Sequence, residues 1–254
     1  PRVPVSHCSF WSLIGYYRCY RPVHFHEFVL MFQIKICGVR EIAHVEAVFR
    51  SGADAIGLNF YQPSCRFVDP EKPIAAELAS KSVDLGLTRV GVFVNHSVEC
   101  IQAVSKRLGL DAVQLHGDEQ AEVVSRLQEV GITKLIRAIK LPVGPLTVQE
   151  IDRRVKPWSS LGAHLLLDAD GGNRHGGTGK TLDWRAIREW AQHSGDLPWT
   201  LAGGLNPANV ADAISESGAS SVDTASGVEA ERGTKSETLI CKFSETASPL
   251  LNGG

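Results

Sequence analysis

No stretch of this 254-residue chain is apolar for the roughly 18 residues that a bilayer-spanning helix needs. Charge of one sign is lacking too. Lysine and arginine total 26 against 28 aspartates and glutamates, a net charge of −2, which offers no basic face to nucleic acid or to an anionic membrane. The six cysteines (Cys8, Cys19, Cys37, Cys65, Cys100 and Cys241) contain no CxxC pair and no framework spacing. So sparse a set reads as reduced thiols in a cytoplasmic protein, not as a disulfide scaffold or a structural zinc site. A nucleotide fingerprint of the GxGxxG type is missing where an open dinucleotide-binding sheet would carry it, because the first βα turn reads Cys37-Gly38-Val39-Arg40.

The composition that remains, 43% hydrophobic and 21% charged, is that of an ordinary globular protein large enough to bury a full core without staples. Pro1–Leu30 stands apart. It is rich in Tyr, Phe, His and Cys, has neither helical nor alternating periodicity, and lacks the ordered parts of a signal peptide. His7, Cys8, Cys19, His24 and His26 fit no zinc spacing. The only methionine is Met31, directly before the first clear strand. The expectation is therefore a native start at Met31, a non-native or disordered extension over 1–30, and one catalytic domain over 31–250.

From Met31 onward, short apolar runs alternate with longer amphipathic stretches. The runs Phe32–Cys37, Ala53–Asn59, Thr88–Val94, Asp111–Leu115, Thr133–Ile139, His164–Asp168, Trp199–Ala202 and Ser221–Thr224 read as strands covered on both faces. Helices are expected near 41–51, 70–82, 97–108, 118–130, 146–154, 183–193, 206–217 and 235–245, two of them opening at Asp69-Pro70 and Asn206-Pro207. Eight β-then-α units over this length predict an α/β protein, a single-domain (β/α)8 TIM barrel, with an open doubly wound sheet as the competitor.

A barrel of this kind places chemistry at the C-terminal ends of its strands. Cys37 ends the first strand, either as a small buried hydrophobe or as a base whose surroundings raise its thiolate fraction. Asp168 ends the sixth after three leucines, where an unpartnered carboxylate is costly unless it emerges at the rim. It serves either as an acid that desolvation equips to give up a proton near neutral pH or as a cap, with Asp170 as its rival. Gly203-Gly204 and Ser226-Gly227 follow the seventh and eighth strands, the usual phosphate-binding loops of the fold. Gly176–Lys180 is a further glycine-rich loop without P-loop spacing, read as a lid or a phosphate-side loop. Arg66, in the loop after the second strand, is either a solvated side chain or a clamp for a carboxylate. Asp223 on the eighth strand is a candidate for sugar hydroxyls or for orienting loops. Gln114 and His116 end the fourth strand, with His116 either a second acid/base or a structural hydrogen-bonding group.

These residues resemble one family, the phosphoribosylanthranilate isomerases of tryptophan biosynthesis. The resemblance runs in order through Lys35-Ile36-Cys37-Gly38, Ser51–Gly57, Val90–Asn95, Val113–Gly117, Leu166–Asp168, Gly176–Trp184, Ala202–Pro207, Val222-Asp223 and Ser226–Glu229, over about residues 32–240. It implies an Amadori rearrangement of the phosphoribosylated anthranilate. Asp168 would protonate the ring oxygen, Cys37 would remove the C2 proton, Arg66 would contact the anthranilate carboxylate, and the two small-residue loops would hold phosphate. The implied partner is a small phosphorylated substrate. No cofactor or metal is implied, since the protonated imine is the electron sink, and the assembly is a monomer or a homodimer. Arg40, Cys65, Thr224-Ala225-Ser226 and the Gly171–His175 stretch depart from the family pattern. Two other readings compete: another phosphate-binding barrel enzyme, such as a thiamine-phosphate synthase-like transferase or a histidine-pathway sugar isomerase, and a non-catalytic barrel. The second isomerase would carry aspartates at the first and fifth strand ends.

Overall fold

Eight short strands lie between an inner apolar cluster and an outer shell of helices, and their sheet closes on itself. The structure, a computed structural model, describes residues 31–170, 181–195 and 197–251. The readings placed on Pro1–Leu30, on the side chain of Asp170 and on residues 171–180 lie outside the described residues. Strands β1 (Ile34–Cys37), β2 (Ala55–Asn59), β3 (Thr88–Phe93), β4 (Ala112–Leu115), β5 (Leu135–Pro142), β6 (His164–Asp170), β7 (Trp199–Leu201) and β8 (Val222–Thr224) pair in sequence order and close into a barrel. Strand β1 is parallel to both β2 and β8. The covering helices are α1 (Ile42–Arg50), α2 (Pro73–Asp84), α3 (Val98–Leu108), α4 (Ala121–Glu129), α5 (Val148–Ser159), α6 (Trp184–His193), α7 (Val210–Ser217) and α8 (Glu237–Leu251). The expected (β/α)8 TIM barrel is the fold found.

The pleat sorts side chains between two layers. Phe32, Ala55, Val90, Ala112, Ile136, Ala138, Leu166 and Ala202 fill the barrel, while Ile36, Leu58, Phe93, Leu115, Leu165, Leu167, Trp190 and Phe243 belong to the shell between strands and helices. Leu165 and Leu167 thus face out and Leu166 faces in. The same alternation turns Asp168 inward at the C-terminal end of β6, the mouth where such barrels carry their sites.

The floor of the barrel is polar. His164 Nε2 lies 2.7 Å from Thr200 Oγ1, which lies 2.8 Å from Ser221 Oγ. Burial first, then the nearby Lys35 ammonium, depress the His164 imidazole from 6.5 to about 4. The unfolded chain binds a proton near pH 6.5 that the native floor refuses until about pH 4. The neutral imidazole's contribution is therefore complete above pH 6.5 and is lost as pH falls toward 4, on the order of 3 kcal/mol in total. Thermal unfolding across this range is expected to show a falling midpoint in the parent and a flatter profile in His164→Gln. Equal slopes would show that His164 does not set the acid limb.

Several boundaries differ from those expected, each for a local reason. Strand β2 begins at Ala55, not Ala53, because the Asp54 carboxylate accepts N–H bonds from Gln33 at 2.8 Å and Ile34 at 2.8 Å. The second helix starts at Pro73 because Asp69 Oδ1 is taken by the Glu71 amide at 2.9 Å, a turn ahead of the helix. Asn206 likewise accepts from the Ala208 amide at 2.8 Å, and α7 starts only at Val210. Helix α4 begins at Ala121 since Glu119 is held in the preceding loop. Strand β5 runs on to Pro142, and α5 extends to Ser159 past Pro157 in its last turn. The last helix begins at Glu237 and reaches Leu251, because residues before it form a small hairpin of β9 (Glu229–Glu231) and β10 (Thr234–Lys235).

Candidate active site

Cys37 ends β1 facing into the barrel, 8% exposed. Its neighbour across the ladder is Gly57, where a Cβ would lie 2.7 Å from the Cys37 sulfur, so glycine makes the room the thiol occupies. The chain then turns at Gly38, whose φ of +78° suits only glycine at ordinary cost and whose added Cβ would overlap Arg66 Cδ. Arg66 thus crosses directly over the backbone that follows Cys37.

Two residues before Cys37 on the same inner face stands Lys35, 0% exposed. Its Nζ lies 2.7 Å from Asp223 Oδ1 on β8, and Asp223 is itself buried. The contact is ionic and poorly aligned, since neither atom has a hydrogen-bond partner among the described residues. Burial pulls the ammonium down, but Asp223 and Cys37 outweigh it and hold Lys35 above the ordinary lysine range. For Cys37 the balance goes the other way. Burial pushes the thiol up, Asp223 adds to the rise, and Lys35, Lys235 and Arg66 pull against it without prevailing. The condition that a base at Cys37 must meet, surroundings that favour its thiolate, is opposed by burial and served by the three cations.

Asp168 lies three strands from β1 round the barrel, on the same inner face, with 25% of its side chain exposed. Its Oδ1 accepts the Ala169 N–H at 2.9 Å, and its Oδ2 lies 3.2 Å from His116 Nε2. Gln114, fully buried on β4, sits 2.7 Å from His116 Nδ1 through its Nε2. The His116 ring thus bridges the Gln114 amide on one side and the Asp168 carboxyl on the other. The loop carrying His116 is fixed from behind by Glu119, which accepts the Asn95 N–H at 2.8 Å, the Gly117 N–H at 2.9 Å and Arg137 Nη1 at 2.6 Å.

The loops after β7 and β8 lie beside this pair. Gly203 has φ of +83°, and a Cβ there would stand 2.5 Å from the Ala169 nitrogen, so the first of these loops packs directly on the backbone after Asp168. The Gly204 carbonyl accepts from Asn209 Nδ2 at 3.1 Å, which anchors the loop to the start of α7. Ser226 and Gly227 form a single 3-10 turn with Val228, and a Cβ on Gly227 would overlap the Leu205 carbonyl oxygen. The two small-residue loops are thus packed against each other.

Glu229, Lys235 and Lys35 carry no role in the sequence reading, although Glu229 and Lys35 lie within its motifs. Glu229 takes Arg66 Nε at 2.6 Å and Lys235 Nζ at 2.9 Å on one oxygen, and Arg66 Nη2 at 2.8 Å and the Gly233 N–H at 3.0 Å on the other. Despite burial, these donors draw its carboxyl from 4.5 down to about 2. Burial keeps Lys235 below the ordinary lysine range while Glu229 resists that fall. A signal for Lys35 was present, because period-two alternation puts it on the face of Cys37. None was present for Glu229 and Lys235, because Arg66, which ties the pair to the site, comes from another loop.

The profile of the family described as N-(5'phosphoribosyl)anthranilate (PRA) isomerase matches residues 34–246. The N-(5'-phosphoribosyl)anthranilate isomerase of Rhodospirillum rubrum is 39% identical over 218 residues, which cover 83% of this chain and 94% of that protein. Among solved structures, the phosphoribosyl anthranilate isomerase of Thermotoga maritima superposes with a TM-score of 0.73 at 33% identity, covering 86% of this chain and 99% of that one. A structure of such an isomerase in complex with reduced 1-(o-carboxyphenylamino)-1-deoxyribulose 5-phosphate gives a TM-score of 0.69 at 32% identity, with coverage of 86% and 99%.

Proposed function

The chain belongs to the N-(5'-phosphoribosyl)anthranilate isomerase family, and from that premise we propose that Asp168 and Cys37 are its general acid and general base. The reaction is the family's: the Amadori rearrangement of N-(5'-phosphoribosyl)anthranilate to 1-(2-carboxyphenylamino)-1-deoxyribulose 5-phosphate, a step of tryptophan biosynthesis. The observation that carries the assignment is the placement of a thiol and a carboxylate at the inner C-terminal ends of β1 and β6, with Arg66 crossing beside the first and the glycine loops packed beside the second.

The steps follow from that arrangement. Asp168 gives its proton to the furanose oxygen, the ring C1–O bond breaks, and the anthranilate nitrogen forms a protonated imine at C1. The imine draws electron density from C2, whose proton passes to the Cys37 sulfur. The resulting enolamine tautomerises to the ketone, and no atom is gained or lost. The imine also brings a positive charge toward Cys37, which favours the thiolate when a base is needed. His116, ordered by Gln114, orients the Asp168 carboxyl through Oδ2. Arg66 takes the anthranilate carboxylate, and the loops at Gly203-Gly204 and Ser226-Gly227 take the phosphate through backbone N–H groups. Asp223 pairs with Lys35 through Oδ1 and orients the floor beneath Cys37.

We place the enzyme in the cytoplasm on its unpaired thiols, Cys37, Cys65, Cys100 and Cys241 among the described residues. No helix among the described residues is long and apolar enough to cross a membrane. A purified sample is expected to consume fluorescent N-(5'-phosphoribosyl)anthranilate and to be inhibited competitively by the reduced product analogue. Folded protein that leaves the substrate unchanged would overturn the function, and sedimentation decides between monomer and homodimer.

A further inference from the structure

The Arg66 guanidinium has two usable edges, and only one is free. Its side-on edge, Nε with Nη2, is spent on Glu229 at 2.6 and 2.8 Å. Nη1, which together with the outer hydrogen of Nη2 forms the end-on edge, has no hydrogen-bond partner among the described residues. Glu229 is in no position to let go, because its side chain is 4% exposed and all four of its hydrogen-bonding directions are filled by Arg66, Lys235 and the Gly233 amide. Lys235 in turn holds the Ala225 carbonyl at 2.7 Å, at the foot of the Ser226–Val228 turn.

We propose that Glu229 is the positioning residue for carboxylate recognition: by gripping Arg66 side-on it fixes the guanidinium plane and turns the end-on edge to the carboxylate on the substrate's aromatic ring. The inference rests on the reading of Arg66 as the carboxylate-binding residue. A bidentate end-on pair needs both nitrogens aimed together. A free arginine on an open loop would lose rotamer freedom on binding, and one already clamped has little left to lose. The buried carboxylate therefore works as a fixed template, and the specificity it confers is for an aglycone carrying an acidic group.

The experiment compares N-(5'-phosphoribosyl)anthranilate with the phosphoribosylated aniline that lacks the carboxylate, as the ratio of kcat/KM. The parent is expected to prefer the carboxylated substrate by roughly 10²-fold, the scale of two charge-assisted hydrogen bonds. Arg66→Met is expected to abolish the preference. Glu229→Gln, which turns a donor toward one arginine nitrogen, is expected to cut it about tenfold, through KM for the carboxylated substrate with kcat little changed. Should Glu229→Gln fail to fold, Glu229→Asp, charged but one methylene short of spanning Nε and Nη2, carries the same expectation. A parent without preference, or a preference that survives in Arg66→Met, overturns the reading of Arg66. Loss in Arg66→Met with the preference intact in the Glu229 variants overturns the role of Glu229 alone. A rise in KM in the Glu229 variants that is equal for the carboxylate-free substrate would mean general loosening of the loop and overturn it as well.

Discussion

Cys37→Ser and Asp168→Asn are each expected to lower kcat for the rearrangement by roughly 10² to 10⁴-fold, the range of a positioned acid or base, with circular dichroism and thermal midpoints near those of the parent. The two losses have different causes. An asparagine at 168 keeps the acceptor for the Ala169 amide but has no proton to give the ring oxygen, so ring opening stops. A serine at 37 fits the space that Gly57 leaves, yet its hydroxyl is far too weak an acid to supply a base. A pH profile separates the two. Burial pushes the Cys37 thiol above its ordinary 9.0, so the thiolate fraction of the free enzyme increases with pH through the neutral range. In Asp168→Asn, where residue 168 no longer titrates, the residual kcat/KM is expected to rise between about pH 6 and 9 in step with that fraction, and the rise is expected to vanish when Cys37→Ser is added. Full activity in either single variant would remove that residue from the mechanism, and a flat Asp168→Asn profile would show that substrate binding, not the free enzyme's thiol, sets the base.

What the chain's order reveals follows from how local the determining interactions are. The barrel was legible because each strand is a short apolar run whose neighbours in sequence are its neighbours in space, and eight such runs leave little choice of topology. Cys37 and Asp168 were legible because each ends a run, and period two sends each inward. Helix starts were less so. Asp69 and Asn206 have the side chains of caps, but the same chemistry makes the turns they actually form. The hairpin of β9 and β10 was missed since Glu229–Lys235 carries almost no apolar residue to pattern. The Arg66–Glu229 and Glu119–Arg137 pairs were out of reach for another reason. Each joins residues far apart in the chain, and a lone charge in a loop reads as solvated until its partner is placed against it. The resemblance named the reaction, but it did not say which charges hold the acid, the base and the arginine in register.

The pair beneath the base gives the largest expected change in stability. Lys35→Met keeps the length and apolar stem of the side chain and removes the charge. It leaves Asp223, 7% exposed, without the cation 2.7 Å away. Removing one partner of a buried pair costs about 3–5 kcal/mol, a large part of the roughly 5–15 kcal/mol that holds a domain of this kind together. Urea unfolding is expected to show that loss in Lys35→Met, and most of it is expected to return in Lys35→Met/Asp223→Leu, where neither charge remains to be desolvated. A single variant within about 1 kcal/mol of the parent would mean that the pair carries no structural weight. The double variant then isolates what the ammonium does for catalysis. Lys35 is the strongest of the influences that oppose the rise of the Cys37 thiol, and Asp223 works the other way. Removing both restores the fold but takes away the cation next to the nascent thiolate. The double variant is therefore expected to be stable and still to turn over substrate more slowly than the parent at neutral pH. Recovery of stability and neutral-pH activity together would confine Lys35 to holding the barrel floor.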